Sequence, residues 1–456
     1  MLPKIFDAFV EASPVSVMAR GLAERVLDAR KLDAWFESVD SSQYTRELPF
    51  SAVFSLMSQV VCGSQKSVNA AYQSAKDEVP TSIVSVYNKL KGIEVETSAA
   101  LVRYAAGEAT ALIEQLEGSV PEGLPGYRVK LLDGNCLAAS ERRIKELRRT
   151  SAGPLPGKSL VVLDPALHLP IDVFPCEDGH AQERALLGEV LDTVEPNDIW
   201  VADRNFCTLG FLSGVAKAQG YFVIREHKKL PWEPEPGSTL VAAGKVETGT
   251  VSQQRVQIVD EQGKTYRLRR VKLTLKKATR DGDRVIHILT NLPVKAATAR
   301  KIAELYRGRW TIETAFQELT VHLNSEINAL GYPRAALFGF CVALVAYIIM
   351  AILKAALRSV HGAQRIEEHF SGYYLADELS GVYRGMMITI TSPQWVVFSR
   401  LTQAQLVEQL KALAANVNLS RFQKHPRGPK RPAKKRTTDK HTPHVSTARV
   451  IASRKK

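Results

Sequence analysis

The feature that most restricts the fold is an uncharged run of nineteen residues, 335–353, lying between Arg334 and Lys354. Its length is sufficient for a transmembrane helix. A helix that is buried on all sides gives the same pattern, and we favour that interpretation because the run is rich in alanine and has no second example in the chain. A membrane-anchored protein is the alternative, and it predicts that the chain pellets with membranes.

Composition indicates a large soluble protein with a basic end. The chain has 456 residues, 45% of them hydrophobic, so we expect two to four folding units. Residues 421–456 hold thirteen Lys and Arg against one acid, which accounts for most of the net charge of +14. The five cysteines are scattered with no C-x-x-C pair, and the start lacks the apolar region of a signal peptide, so a reducing cytoplasm is expected.

Residues 305–320 carry the most informative side chains. Read as one helix, this segment places Tyr306, Arg309 and Glu313 within about 60° of each other, since each residue turns about 100°. A tyrosine, an arginine and a carboxylate make a poor core face. They suit a surface that meets phosphate and a metal ion.

Two upstream acids end apolar, strand-like runs. Asp133 closes VKLLDGN and Asp203 closes DIWVADRNF, and such positions lie at strand tips, where ligands bind in α/β sheets. Taken singly, Asp133 could be a turn residue before Gly134, and Asp203 could cap the next segment. Taken with Glu313 in this order, the three acids favour a metal site.

The chain resembles the DDE transposases of bacterial insertion sequences, in the branch with the pattern Tyr-x2-Arg-x3-Glu-x6-Lys. Tyr306, Arg309 and Glu313 match at the right spacings, and DGN and DRNF supply the other two blocks. The last position of the pattern is Thr320 instead of lysine. The resemblance covers roughly residues 127–357, and three ordered blocks are more specific than any one alone.

The resemblance implies a chemistry and its partners. Asp133, Asp203 and Glu313 are expected to hold two Mg²⁺ ions, with Mn²⁺ as a substitute, for nicking at terminal inverted repeats and joining to target DNA. Arg309 and Tyr306 are expected to contact the DNA strand end. The resemblance also implies a homodimer on paired DNA ends, and end processing that often passes through a hairpin in the family.

The fold class that follows is α/β, with a ribonuclease H-like catalytic core, a helical N-terminal domain, a β-rich insertion and a disordered basic tail. The expected boundaries are 1–120 for the DNA-binding helical domain, 121–225 and 287–400 for the two parts of the core, 226–286 for the insertion, 401–420 for a C-terminal helix and 421–456 for the tail. The pairing of the first and fourth core strands, which brings the two aspartates together, is implied by the resemblance.

DNA contacts are predicted mainly in the insertion. Residues 264–284 hold nine Lys and Arg against two acids, on segments that alternate as strands should. The resemblance implies that Trp232 is a candidate for stacking on a flipped base, and the predicted phosphate contacts are Arg267, Arg269 and Lys272, with Arg204 beside the second aspartate. A solvated edge sheet, for which lysines are common, is the alternative.

Two predictions concern the ends of the chain. In the N-terminal domain, a helix that begins at Thr81 or Ser82 could lie in a major groove with Ser85, Asn88, Lys89 and Lys91, although ordinary helix packing is the favoured interpretation. In residues 421–456, high charge and repeated proline predict disorder.

The functional alternative to the transposase is a DNA-binding protein that is derived from a transposase and has lost its catalytic activity. This alternative stays open because Thr320 departs from the family pattern.

Overall fold

The computed structural model describes residues 2–40, 47–121, 123–140, 144–148, 153–279, 282–425 and 444–454. Within residues 1–120 the described elements are helical. After a 3-10 turn at Lys4–Phe6, the helices are α1 (Asp7–Ala12), α2 (Pro14–Val26), α3 (Ala29–Val39), α4 (Phe50–Val61), α5 (Val68–Ser74), α6 (Ile83–Gly92) and α7 (Val95–Gln115).

Helix α6 begins where the sequence predicts, but one of its basic residues is buried. The Ser82 hydroxyl accepts the backbone N–H of Ser85 at 3.2 Å, which is the predicted cap. Lys89 is only 8% exposed and donates to the Leu48 carbonyl at 2.7 Å. The interpretation of Lys89 as a groove-reading residue is therefore wrong, because its ammonium group is satisfied inside the helical domain.

The core of the second region is a ten-stranded sheet. Its strands, together with one strand of a separate small sheet (β2), are β1 (Arg128–Cys136), β2 (Gly153–Leu155), β3 (Lys158–Asp164), β4 (Leu169–Cys176), β5 (Asp198–Ala202), β6 (Tyr221–Arg225), β7 (Glu233–Pro234), β8 (Val241–Val246), β9 (Gly249–Val259), β10 (Thr265–Leu275) and β11 (Val285–Thr290). The order across the sheet is β4-β3-β1-β5-β6-β11-β10-β9-β7, with β8 also paired to β9. Strand β3 is antiparallel to both of its neighbours, β1 and β4, whereas β5 and β6 run parallel to β1.

The predicted insertion continues this sheet. Strand β11 pairs antiparallel with β6, and β10 and β9 follow it outward. Two short helices, α8 (Leu187–Leu191) and α9 (Leu209–Lys217), lie between β4 and β6 in the chain. The described residues of 226–286 are thus joined to the core through backbone hydrogen bonds.

The uncharged run forms the central helix of the molecule. Three helices follow the sheet: α10 (Ala299–Gly308), α11 (Trp310–His322) and α12 (Pro333–His361). Helix α12 packs against α4, α7 and β4, and 94% of its most apolar stretch is buried within the protein. The predicted burial is confirmed, and the N-terminal helices share one hydrophobic core with α12.

The predicted single helix over 305–320 is interrupted at Arg309. Helix α10 ends at Gly308 and α11 begins at Trp310, and the backbone bonds across the junction are of the tighter i to i+3 type, from Arg309 N–H to Tyr306 and from Ile312 N–H to Arg309. Arg309 keeps helical torsions, with φ −54° and ψ −34°. The three signature side chains therefore stay on nearly one side of the chain.

Part of the predicted disordered tail is ordered. The last elements are α13 (Ala363–His369), α14 (Gly372–Thr389), α15 (Ser392–Arg400), α16 (Gln403–Ala415), β12 (His444–Ser446) and α17 (Thr447–Arg454). Strand β12 pairs parallel with β2, and Arg449 binds Asp178 at 2.6 Å. The disorder prediction is wrong for 444–454, because backbone pairing and this ion pair fix the segment, while 426–443 lie outside the described residues.

Candidate active site

The first two acids lie side by side on adjacent parallel strands. Leu132 of β1 is opposite Ala202 of β5, and Asp133 and Asp203 are the next residues along the two chains. Asp133 remains in the ladder, opposite Val161 of β3, so its interpretation as a turn residue is wrong. Parallel strands end at the same edge of a sheet, which brings both carboxylates to one place.

Asp203 leaves the sheet directly after β5. Its side chain caps the 3-10 turn Arg204–Phe206, and Oδ1 accepts the backbone N–H of Asn205 at 2.6 Å. The capping role that the sequence allowed is therefore present. It fixes the orientation of this carboxylate beside Asp133.

Arg309 connects the third acid to the first. Its Nη1 lies 3.1 Å from Asp133 Oδ2, and its Nη2 lies 2.5 Å from Glu313 Oε1. The Arg309 side chain is 11% exposed and that of Asp133 is 20% exposed, whereas Glu313 on the first turn of α11 is 50% exposed. One guanidinium thus joins acids from β1 and α11, and the pairing of Arg309 with Glu313 that the sequence left open is observed.

The electrostatics of Asp133 reflect this crowding. Burial raises the pKa of the Asp133 carboxyl to about 6, against the opposing effects of Arg309 and of the Gly134 N–H that hydrogen-bonds it. The charges of Asp203 and Glu313 raise the pKa further. The site therefore favours a positive partner, whether a proton, the guanidinium or a metal ion.

Tyr306 lies beneath the site. It is 5% exposed, and burial raises the pKa of its phenol, with Arg309, Arg225 and Asp203 among the charges that act on it. The residue was predicted to meet a DNA strand end. In the structure it is buried beside Arg309, whose charge lowers the pKa of the phenol against the effect of burial.

Arg269 cannot serve as a phosphate contact. It is 7% exposed, and its guanidinium donates to the carbonyls of Leu292 at 3.1 Å and Ala297 at 2.7 Å, and to Gln253 Oε1 at 2.9 Å. The prediction for this residue is wrong. The many lysines and arginines around it in the sequence suggested a surface residue. Its guanidinium instead holds β10 to the segment that leads into α10.

Arg267 and Lys272 lie on opposite faces of the sheet. They are five positions apart on β10, and successive side chains of a strand alternate between faces. The Arg267 side chain is 87% exposed, with Glu235 3.9 Å away, whereas Lys272 is half-buried opposite His287. Arg267 remains available to a phosphate, but the two residues do not form one basic face.

Trp232 is partly covered, and Arg204 is exposed. The Arg270 guanidinium lies 4.5 Å from the centre of the Trp232 ring, and the indole N–H donates to Glu226 at 3.1 Å. One face of the ring is therefore unavailable for stacking on a base. Arg204, next to Asp203, is exposed to solvent.

Sequence reasoning missed Glu183. Its carboxylate lies against Gly134, where any added Cβ would collide with it, and it accepts a hydrogen bond from Asn205 Nδ2 at 3.4 Å. It thus spans the DGN and DRN blocks from the face of the sheet opposite Arg309. The glycine in DGN was the available signal, since a strand glycine often marks the close approach of another group.

The three acids have the right ligand atoms for a hard divalent cation. In the structure, however, their side chains do not converge on one point. Carboxylate oxygens are the ligands that Mg²⁺ and Mn²⁺ take in proteins. Over the part of the chain that the structure describes, no three His, Cys, Asp or Glu side chains converge closely enough to hold a metal ion. The donor set fits, but Arg309 now lies between Asp133 and Glu313.

Comparisons with known proteins identify a related domain in this part of the chain. The family described as "Transposase DDE domain" matches residues 127–349, which contain all three acids. A provisionally named transposase of Sinorhizobium fredii is 26% identical over 197 residues, 43% of this chain and 52% of the relative. A protein of Synechocystis sp., provisionally named as the transposase of insertion sequence element IS4SA, is 24% identical over 184 residues, 38% of this chain and 47% of the relative. The chain therefore spans about half the length of these relatives.

Proposed function

We propose that the chain is a DDE transposase of a bacterial insertion sequence, which cuts DNA at the terminal inverted repeats of its element and joins the freed ends to a target. The observation that carries the proposal is the position of Asp133 and Asp203 at the ends of two adjacent parallel strands, with Arg309 joining Asp133 to Glu313 on a helix. The order Asp, Asp, Glu along the chain is the order of the catalytic acids in DDE transposases.

The strand order supports a ribonuclease H-like core. Three antiparallel strands (β4, β3, β1) continue into two strands parallel to β1 (β5, β6), with the proposed acids on the first and fourth strands of the core in chain order, β1 and β5. This order is the one expected of that fold. The adjacency of β1 and β5 also explains why Asp133 and Asp203, 70 positions apart in the chain, lie together.

The roles of the side chains follow from their positions. Asp133, Asp203 and Glu313 would hold two Mg²⁺ ions, which when bound activate the attacking water or 3′-hydroxyl and stabilise the leaving oxygen. Asp203 is kept in orientation by the Asn205 N–H. Arg309 offers a planar, bidentate donor to the phosphate beside the cut.

Partners and compartment belong to the same proposal. DNA is the substrate, Arg204 and Arg267 are exposed contacts for it, and a homodimer would hold two paired ends. Because α12 is the buried core helix, we place the protein in the cytoplasm on the nucleoid. A DNA-binding derivative without chemistry is disfavoured because all three acids are present.

Cleavage of DNA that carries the gene's flanking inverted repeats tests the proposal. Wild type and Asp203→Asn are compared in Mg²⁺, in Ca²⁺ and in chelator. The proposal requires cuts at the repeat boundary that need Mg²⁺ and vanish in Asp203→Asn. Binding of the repeats without cleavage in any metal would support the inactive DNA-binding protein instead.

A further inference from the structure

The Arg309 guanidinium takes the place of a shared cation at this site. It contacts Asp133 on β1 and Glu313 on α11 through two different nitrogens, at 3.1 and 2.5 Å. Two acids from separate elements are thus cross-linked by a positive charge that belongs to the chain. A divalent cation that bridged the same carboxylates would have to replace it.

The arginine is held in the site as a buried group. Its side chain is 11% exposed, Tyr306 lies beside it, and its Nε is buried without a hydrogen-bond partner among the described residues. A buried nitrogen without an acceptor is a cost that an additional ligand could remove. The present contacts therefore satisfy Asp133 and Glu313 better than they satisfy Arg309 itself.

From this geometry we propose that Arg309 is a latch that couples DNA binding to metal binding: it neutralises Asp133 and Glu313 in the free protein, and a DNA phosphate draws it away so that both acids become available to divalent cations. The inference rests on the proposed function and adds its regulation. Without DNA, metal affinity is low because the guanidinium competes for the same oxygens. With DNA, the phosphate offers the guanidinium a bidentate partner in exchange.

The surroundings of Arg309 allow such an exchange. It stands at the junction of α10 and α11, where the helix is locally tightened, and Glu313 on the first turn of α11 is half exposed. Thr320 stands two turns beyond Glu313, where the family pattern has a lysine. Binding linkage requires reciprocity, so metal must tighten DNA binding by the factor by which DNA tightens metal binding.

The test measures Mn²⁺ affinity by electron paramagnetic resonance, with and without a duplex that ends at the repeat boundary and so undergoes no further cleavage. In wild type, the duplex should tighten Mn²⁺ binding by roughly 5- to 150-fold, the usual range of such coupling. In Arg309→Gln, the free protein should bind Mn²⁺ about fivefold or more tighter than wild type, and the duplex should add little. Asp133→Asn, which removes a proposed ligand, should bind Mn²⁺ weakly in both states.

Two further variants separate a latch from a general effect of charge. Arg309→Lys keeps the charge but lacks the fork that reaches both acids, so it should resemble Arg309→Gln in its Mn²⁺ affinity without DNA. Arg307→Gln removes an equal charge that pairs with Glu247 instead, and it should behave as wild type. If Arg309→Lys matches wild type, charge alone explains the effect and the latch is wrong.

The same experiment distinguishes the two proposals and does not depend on any variant folding. If wild type cleaves repeat DNA but its Mn²⁺ affinity is unchanged by the duplex, only the latch is overturned. If wild type neither cleaves the repeats nor prefers them to an unrelated duplex, the proposed function itself fails. Repeat affinity of wild type in Mn²⁺ and in chelator supplies the reciprocal measurement, and equal values would also overturn the latch.

Discussion

At the scale of single residues, the site is a set of charges held close together with few positive partners. Asp133 is the extreme case, because burial and two neighbouring acids act in the same direction on its carboxyl. Arg309 is the main opposing charge. The spacing of Tyr306, Arg309 and Glu313 could be read from the sequence, but the contact of Arg309 with Asp133, 176 positions away, could not.

This crowding predicts an unusual pH dependence of stability. Because the pKa of Asp133 is raised from 3.8 to about 6, the folded state binds its proton more tightly than the unfolded state does. Stability is therefore lost as pH rises from about 4 to about 6, by about 3 kcal/mol. Asp133→Asn should unfold at the same denaturant concentration as wild type near pH 4 in chelator, but at a higher concentration at pH 7. An equal midpoint at pH 7 would contradict the raised pKa.

Two arginines on one strand face give a matched pair of predictions. Arg269→Ala removes three hydrogen bonds from a buried guanidinium and should cost roughly 2–4 kcal/mol of unfolding free energy. Arg267→Ala should leave stability within about 0.5 kcal/mol of wild type. It should instead lower the slope of log affinity for DNA against log salt by about 1.

Chemical denaturation and DNA titration at several salt concentrations measure both effects. If Arg269→Ala folded as stably as wild type and lost only DNA affinity, our structural assignment of this residue would be incorrect. An unchanged salt slope in Arg267→Ala would remove it from the DNA surface.

At the scale of elements, periodicity predicted most of the strands and helices, but not their interruptions. The run that ends at Asp203 forms strand β5, and Ser82 caps α6 as expected. The break at Arg309 and the pairing of β2 with β12 were missed. The first depends on a local tightening that leaves no compositional trace, and the second depends on a partner about 290 residues away.

Helix α11 offers a test of the departure from the family pattern. Thr320 is exposed on the same side as Glu313, two turns further on, and its hydroxyl donates to the Phe316 carbonyl at 3.0 Å. Thr320→Lys should tighten binding of the repeat DNA and raise its salt slope by about 0.9, because it adds one phosphate contact. Titration of labelled repeat DNA at several salt concentrations measures this.

Thr314→Lys is the matched control for that substitution. Thr314 is likewise exposed on α11 and bonds the carbonyl four residues earlier, at 3.1 Å from Trp310, but it lies about 100° away from Glu313 around the helix. It should change repeat affinity less than Thr320→Lys does. Equal effects of the two lysines would mean that only net charge matters, and no effect of either would show that this face does not meet phosphate.

At the scale of the whole molecule, one central helix unites the parts that composition separated. The N-terminal helices and one face of the sheet share a hydrophobic core with α12, so the sequence-based boundaries at 120 and 287 do not mark breaks in packing. Composition also predicted a disordered end. The disorder prediction was wrong for 444–454, because a three-residue strand and one ion pair leave no signal in the composition.

The ordered end predicts a measurable contribution to stability. Ending the chain at residue 443 removes β12 and α17, and with them the buried side chains of Ser446 and Thr447. The melting temperature should fall by about 1 °C, as expected for about 1 kcal/mol in a chain of 456 residues that unfolds as one unit. Arg449→Ala, which removes only the contact with Asp178, should lower it less. Identical melting curves for the shortened and full chains would contradict the described packing of this segment.

The central claim is that three acids catalyse phosphodiester chemistry on DNA ends, and strand transfer tests it most directly. Duplexes that end at the repeat boundary, with either a 3′-hydroxyl or a 3′-deoxy terminus, are incubated with a supercoiled plasmid in Mg²⁺. Wild type is compared with Asp133→Asn, Asp203→Asn and Glu313→Gln, each checked for folding and for repeat binding. We predict joined products only for wild type with the 3′-hydroxyl duplex. Joining by any of the three variants, or by wild type with the 3′-deoxy duplex, would contradict the account.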